Sequence, residues 1–145
     1  MPSLQHQWLL LWIARKMTSD GYLVRQFEGP TPQGGLWNHL ELPFDFQGRR
    51  PDAWAIHMFT GQLAVGEAKS GNDLSSLRTL TQFRLFGRAI QRGTTERCPY
   101  YIAVPLSATK ALDDALTRTG LVGRPHVHRL HIPDVLLQRH LHDCA

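Results

Sequence analysis

A chain of 145 residues, 42% of them hydrophobic, is long enough for one globular core and too apolar for a disordered chain. Its formal net charge of +4 and pI of about 9.5 favour polyanionic partners, and the positive side is mostly arginine, which contacts phosphates in planar, bidentate fashion. The two cysteines, Cys98 and Cys144, form no disulfide framework and no metal-like spacing, so a reducing, cytoplasmic location is expected. The apolar run Trp8 to Ala14 is too short to span a bilayer, and no basic region precedes it as in a secretory signal.

In chain order, Ser3 is placed to cap a helix from Leu4 to about Met17, whose Trp8, Leu9, Leu11, Trp12 and Ile13 point to burial on more than one side. Asp20-Gly21 ends it as a turn, and Tyr22 to Phe27 reads as a strand. Gly29 to Gly35 is a Gly/Pro loop, and Leu36 to Gly48 is irregular, with Pro43 arguing against a central strand. Asp52 to Phe59 and Gln62 to Lys69 read as strands joined by a turn around Gly61, the second apolar enough to be covered on both faces. Ser70 to Asp73 is a loop ending in a capping residue, and a helix from about Leu74 to Arg92 follows. Pro99 to Val104 is a strand. Ser107 to Thr119 is a helix capped by Ser107 and ended by Gly120 and Gly123. His126 to Ile132 is a last strand, and Val135 to His142 a short terminal helix.

This order, α β β β α β α β α, predicts an α/β fold in which a central mixed sheet of four to five strands is flanked by helices. Without an internal repeat, linker or low-complexity tract, residues 1–145 are expected to form a single domain.

The chemistry concentrates where the two hairpin strands meet. Arg49-Arg50-Pro51-Asp52 opens one, and Gly66-Glu67-Ala68-Lys69-Ser70 closes the other. Alternation puts Glu67 and Lys69 on one face, and pairing of the strands brings Asp52 and Lys69 to the same open end. Two carboxylates and an ammonium are each costly to bury alone, so their convergence at an apolar strand end has a purpose. Magnesium takes hard oxygen ligands, usually one or two carboxylates completed by waters and substrate phosphate. The lysine can orient the attacking water and offset charge growing on the phosphate. The plain alternative is a surface hairpin carrying an ordinary Glu67–Lys69 pair.

The pattern Pro51-Asp52, then Glu67-Ala68-Lys69 across a short hairpin, resembles the PD-(D/E)XK nuclease superfamily. The flanking helices fall in that family's order, and the resemblance spans about Leu4 to Val104. It implies a restriction endonuclease-like core and a magnesium-dependent deoxyribonuclease, with manganese able to substitute. Asp52 and Glu67 would hold the metal, helped by the carbonyl of Ala68, and Lys69 would be the catalytic lysine. Gln82, followed four residues later by Phe86 on one helix face, is similar to a pair some members carry, and Gln82 would hydrogen-bond the nucleophilic water or a phosphate. Many members place a further acid on the first helix. None occurs between Leu4 and Met17, so Gln5, Gln7, Glu28 or Glu41 are the candidates to fill that place.

Arg49 and Arg50, beside Asp52, are the leading candidates for DNA phosphate contact. Arg84, Arg88 and Arg92, spaced by four, would form a basic stripe on the following helix, or simply its solvated face. The expected partner is DNA, with no membrane, and a homodimer suits so small a structure-selective enzyme, for instance one resembling a Holliday-junction resolvase. A restriction-type endonuclease or a helicase-associated exonuclease is the rival within this class. A non-catalytic DNA- or protein-binding module keeping the fold is the rival outside it, and RNA stays open as a substrate. His126, His128, His131, His140, His142 and Cys144 match no closed zinc spacing, and Gly29 to Gly35 lacks the ending of a phosphate-binding loop. Trp37 could be core or a base-stacking platform, whereas Trp8, Trp12 and Trp54 are expected in the core.

Overall fold

The structure, a computed structural model, describes residues 3–27 and 48–137. The Gly29–Gly35 loop, the segment that follows it to residue 47, Glu28, Trp37, Glu41, His140, His142 and Cys144 lie outside the described residues.

The first helix, α1 (Leu4–Ser19), begins where the Ser3 hydroxyl accepts the N–H of His6 at 3.1 Å. Leu9, Leu10, Ile13 and Met17 recur at helical spacing and are fully buried. Asp20 caps its end and Gly21 reverses the chain at φ 94°. The Asp20 carboxylate there accepts hydrogen bonds from the Tyr101 hydroxyl at 2.7 Å and the Lys16 ammonium at 2.9 Å, which ties the helix end to the sheet.

Five strands follow: β1 (Tyr22–Phe27), β2 (Ala53–His57), β3 (Leu63–Ala68), β4 (Tyr100–Pro105) and β5 (Val127–Ile132). They stand in sequential order in one sheet. The β1–β2 and β2–β3 pairs are antiparallel, and the β3–β4 and β4–β5 pairs parallel. The parallel pairs need crossovers, supplied by α2 (Leu77–Gly87) and α3 (Thr109–Thr119). The fold is therefore α/β, with a mixed five-stranded sheet between helices. Among the described residues no helix is long and apolar enough to cross a membrane.

Each side of the sheet buries its own core. On one, Trp54, Val65, Tyr100, Ile102 and Val104 meet α2 and α3. On the other, the strands present mainly small residues to α1: Ala53, Ala55, Ala64, Ala68 and Ala103. Gly66 belongs to this second face, where a Cβ would stand 2.8 Å from Ile13 Cγ2 and 3.1 Å from Met17 Cε. Small side chains thus let α1 lie close against the middle of the sheet. Between the two hairpin strands, the His57 ring nitrogen accepts the N–H groups of Phe59 and Thr60, and Gly61 turns at φ 73°.

The structure moves several helix boundaries. α2 starts at Leu77 under a Ser76 cap rather than at Leu74, because Gly71–Asp73 forms a short 3-10 turn and Leu74 is buried before the helix begins. It ends at Gly87, where a side chain would collide with Leu121. Beyond it the chain turns back on itself, with Ile90 bridging Arg97 and the Gln91 amide bonding the backbone N–H and C=O of Leu63, each at 2.8 Å. Arg92 therefore lies outside the helix, and the stripe Arg84–Arg88–Arg92 does not exist as a helical face. Ser107 does not cap α3: its hydroxyl donates to Asp134 at 2.5 Å, and the helix follows a 3-10 turn over Leu106–Ala108. Gly120 does end α3, in the left-handed conformation. The strands β2 and β3 are shorter than expected, leaving Asp52 and Lys69 just beyond their ends. Of the terminal helix, residues 134–137 are helical, and the remainder is outside the described residues.

Replacing Gly66 with Ala should destabilise the protein by about 1–3 kcal/mol through overpacking against Ile13. Urea denaturation of the variant beside wild type measures this, and equal midpoints would mean that α1 yields without cost.

Candidate active site

The register of the β2–β3 hairpin builds the site. Ala53 pairs with Gly66, so the preceding residue, Asp52, stands across from Glu67. Alternation then directs Glu67 and Lys69 to the face of Val65, toward α2. That layer explains their burial: Glu67 is 1% exposed and Lys69 9%.

Asp52 is held from three directions. Its Oδ2 accepts the backbone N–H of Ala68 at 3.0 Å and lies 3.2 Å from Nε2 of His6, from the first turn of α1. Its carboxyl is also in hydrogen-bonding contact with Glu67. Burial alone would push the Asp52 pKa up, but the hydrogen bonds from His6 and Ala68, the charge of His6 and the Glu67 contact outweigh it, and the net shift is downward. The Lys69 ammonium lies 4.0 Å from Glu67 Oε2 and donates a hydrogen bond to Oε1 of Gln82. Gln82 is itself buried on α2 beside Phe83 and Phe86.

Asp52, Lys69 and Gln82 line a cleft of about 610 Å³, together with His6 and, from the start of α2, Arg78. The cleft is open, with Ser70 and Ser76 among its polar walls. Arg49 and Arg50 are exposed immediately before Pro51-Asp52. Arg84 is exposed on α2 and Arg88 caps its end, where the Arg88 carbonyl accepts a hydrogen bond from the Arg97 guanidinium.

The structure thus gathers Asp52, Glu67, Lys69 and Gln82. Gln82 bonds to Lys69, a partner that its sequence position did not suggest. Sequence reasoning missed His6 and Arg78. His6 is not an acid, the residue type the resemblance calls for on the first helix, although the Ser3 cap places it in the first turn. Arg78 comes to the cleft only because α2 starts at Leu77, three residues later than its sequence suggests. The other described histidines have separate engagements: His57 with the Phe59 and Thr60 N–H groups, His126 with the Gly87 carbonyl at 2.7 Å, His128 stacked on Tyr101 at 4.6 Å between ring centres, and His131 with the Thr109 hydroxyl at 3.0 Å.

Two carboxyl groups in contact repel unless a proton or a cation stands between them. Among the described residues no three His, Cys, Asp or Glu side chains form a ready-made metal cluster. The donor set fits a cation of the magnesium kind, which needs one or two carboxylates and completes its shell with water and substrate oxygens. Comparison with protein-family models, with curated proteins and with solved structures finds no match.

Gln82→Leu removes the acceptor from a buried ammonium and should cost about 1–3 kcal/mol of stability. Thermal denaturation tests this, and an unchanged melting temperature would show that Lys69 finds another acceptor or water.

Proposed function

We propose that the protein is a divalent-cation-dependent nuclease of the PD-(D/E)XK type that hydrolyses DNA phosphodiester bonds. The observation that carries this reading is the meeting of Asp52, Glu67 and Lys69 at one end of the β2–β3 hairpin, beside an open polar cleft. A surface hairpin with a casual ion pair would leave its charges in water, whereas here Glu67 and Lys69 are taken out of it.

In this reading Asp52 and Glu67, with the Ala68 carbonyl, would hold magnesium, for which manganese could substitute. When bound, the metal would supply polarisation of the phosphate and a more acidic water. Lys69, steered by Gln82, faces the phosphate and offsets the charge that grows there. Gln82 acts through the lysine in this arrangement. Arg78, on the cleft wall, takes a phosphate oxygen near the cut, while Arg49, Arg50, Arg84 and Arg88 supply contacts to the strand further out. The net charge of +4 suits such a polyanion. A cytoplasmic homodimer acting on branched DNA is the form we favour, since two copies present two cutting centres to a symmetric junction.

The test is cleavage of a labelled four-way junction, flap, plain duplex and single strand with magnesium, manganese or EDTA. Wild type should cut only with metal, and Asp52→Asn, Glu67→Gln and Lys69→Ala should each cut at least about 10²-fold more slowly while still binding DNA. Cutting that persists in EDTA, or full activity in any of the three variants, would refute the reading. Binding without cutting would make the protein a DNA-binding module.

A further inference from the structure

Tyr100 is a buried group near the site that has no part in the proposed chemistry. It lies on β4 opposite Val65, on the sheet face that carries Glu67. Its ring is fully buried, set edge-on to Phe83 (6.0 Å between ring centres, 85°) and Phe86 (6.1 Å, 64°). These contacts fix the ring. Its hydroxyl, however, is buried with no hydrogen-bond partner among the described residues.

An orphaned buried hydroxyl costs about 1–3 kcal/mol, and phenylalanine would fill the same space without that cost. A hydroxyl kept at such a place points to a use beyond packing. Burial first, and then the negative charges of Glu67 and Asp52, raise its pKa well above the ordinary tyrosine value. A tyrosine hydroxyl carries its proton at neutral pH in any case, so this one can donate on the face of the acidic pair.

We propose that Tyr100 is a positioning residue for Glu67, its hydroxyl donating to the Glu67 carboxylate once that carboxylate is drawn from Asp52 onto a divalent cation. This rests on the nuclease reading of the site. The Asp52 and Glu67 carboxyl groups are in contact with each other. Were Glu67 to ligate a cation, that contact would be given up and its carboxylate would have a lone pair to satisfy in a water-poor layer. A phenol rigidly held on the same face supplies the hydrogen. Ligating carboxylates are generally oriented by such outer hydrogen bonds, and loss of one typically weakens metal binding about 10–100-fold.

The variant to make is Tyr100→Phe, which removes one oxygen and leaves the aromatic packing. Manganese chloride alone, without DNA, is titrated into wild type, Tyr100→Phe and Glu67→Gln while heat and thermal melting are followed. The expected result is a Tyr100→Phe protein that, before manganese is added, melts above wild type, yet binds manganese about 10-fold or more weakly. Equal manganese affinity in Tyr100→Phe and wild type, with binding lost in Glu67→Gln, would overturn the role of Tyr100 and leave the nuclease reading standing. No saturable binding by wild type would overturn both. Should Tyr100→Phe fail to fold, ultraviolet resonance Raman of the wild-type tyrosines decides. Manganese should shift one tyrosine toward a hydrogen-bond donor, and an unchanged tyrosine doublet would overturn the proposal.

Discussion

The register of one antiparallel pair governs the rest of this molecule. Ala53 lies against Gly66, which sets Asp52 across from Glu67 and sends Glu67 and Lys69 to the α2 side. A slip of one residue would turn every side chain of β3 to the opposite face. Gly66 would then leave its place under Ile13, and the charged side chains would meet α1. The asymmetry between the two faces therefore locks the register: small residues toward α1, and bulky apolar residues with the charged pair toward α2 and α3. Hydrophobic packing and site geometry are two consequences of the same alternation.

The polar groups at this end are bound to each other in sequence. His6 and the Ala68 N–H hold Asp52, Asp52 contacts Glu67, Lys69 faces Glu67, and Gln82 accepts from Lys69. Each element adjoining the site contributes at least one member: α1 gives His6, the hairpin gives the carboxylates and the lysine, and α2 gives Gln82. Buried ionic groups are poor stabilisers, because desolvation consumes most of what their attraction returns. A protein seeking stability alone would fill such a layer with apolar side chains. The arrangement is therefore one of the grounds for proposing a site that takes a charged substrate and a cation, at a cost in stability.

Much of this was readable in the sequence. The Ser3 cap, the Asp20-Gly21 stop, the five strands and the Gly120 stop all follow from local rules of capping, alternation and glycine conformation, and the structure bears them out. The shared face of Glu67 and Lys69 and the nearness of Asp52 to Lys69 followed from two-residue periodicity and the short hairpin, whereas the register that sets Asp52 across from Glu67 is seen only in the structure. What local rules could not see was set by tertiary contact. Ser107 has the chemistry of a cap, but Asp134, from beyond β5, takes its hydroxyl. The α2 boundaries depend on Leu74 being buried ahead of the helix and on Leu121 pressing against Gly87. His6 gave a signal only through a residue 46 positions away, and Tyr100 reads as one more aromatic in an apolar strand.

The proposed nuclease chemistry requires that Asp52 and Glu67 can hold a divalent cation. Iron-directed cleavage of the protein's own backbone tests it most directly. Ferrous ion substituted for magnesium, with ascorbate and peroxide, generates radicals that cut the chain within a few ångströms of the metal. The account predicts cuts clustered at residues 51–53 and 66–69, suppressed by excess magnesium and absent in Glu67→Gln. Cuts scattered along the chain, centred on the histidines of β5, or indifferent to magnesium would contradict it.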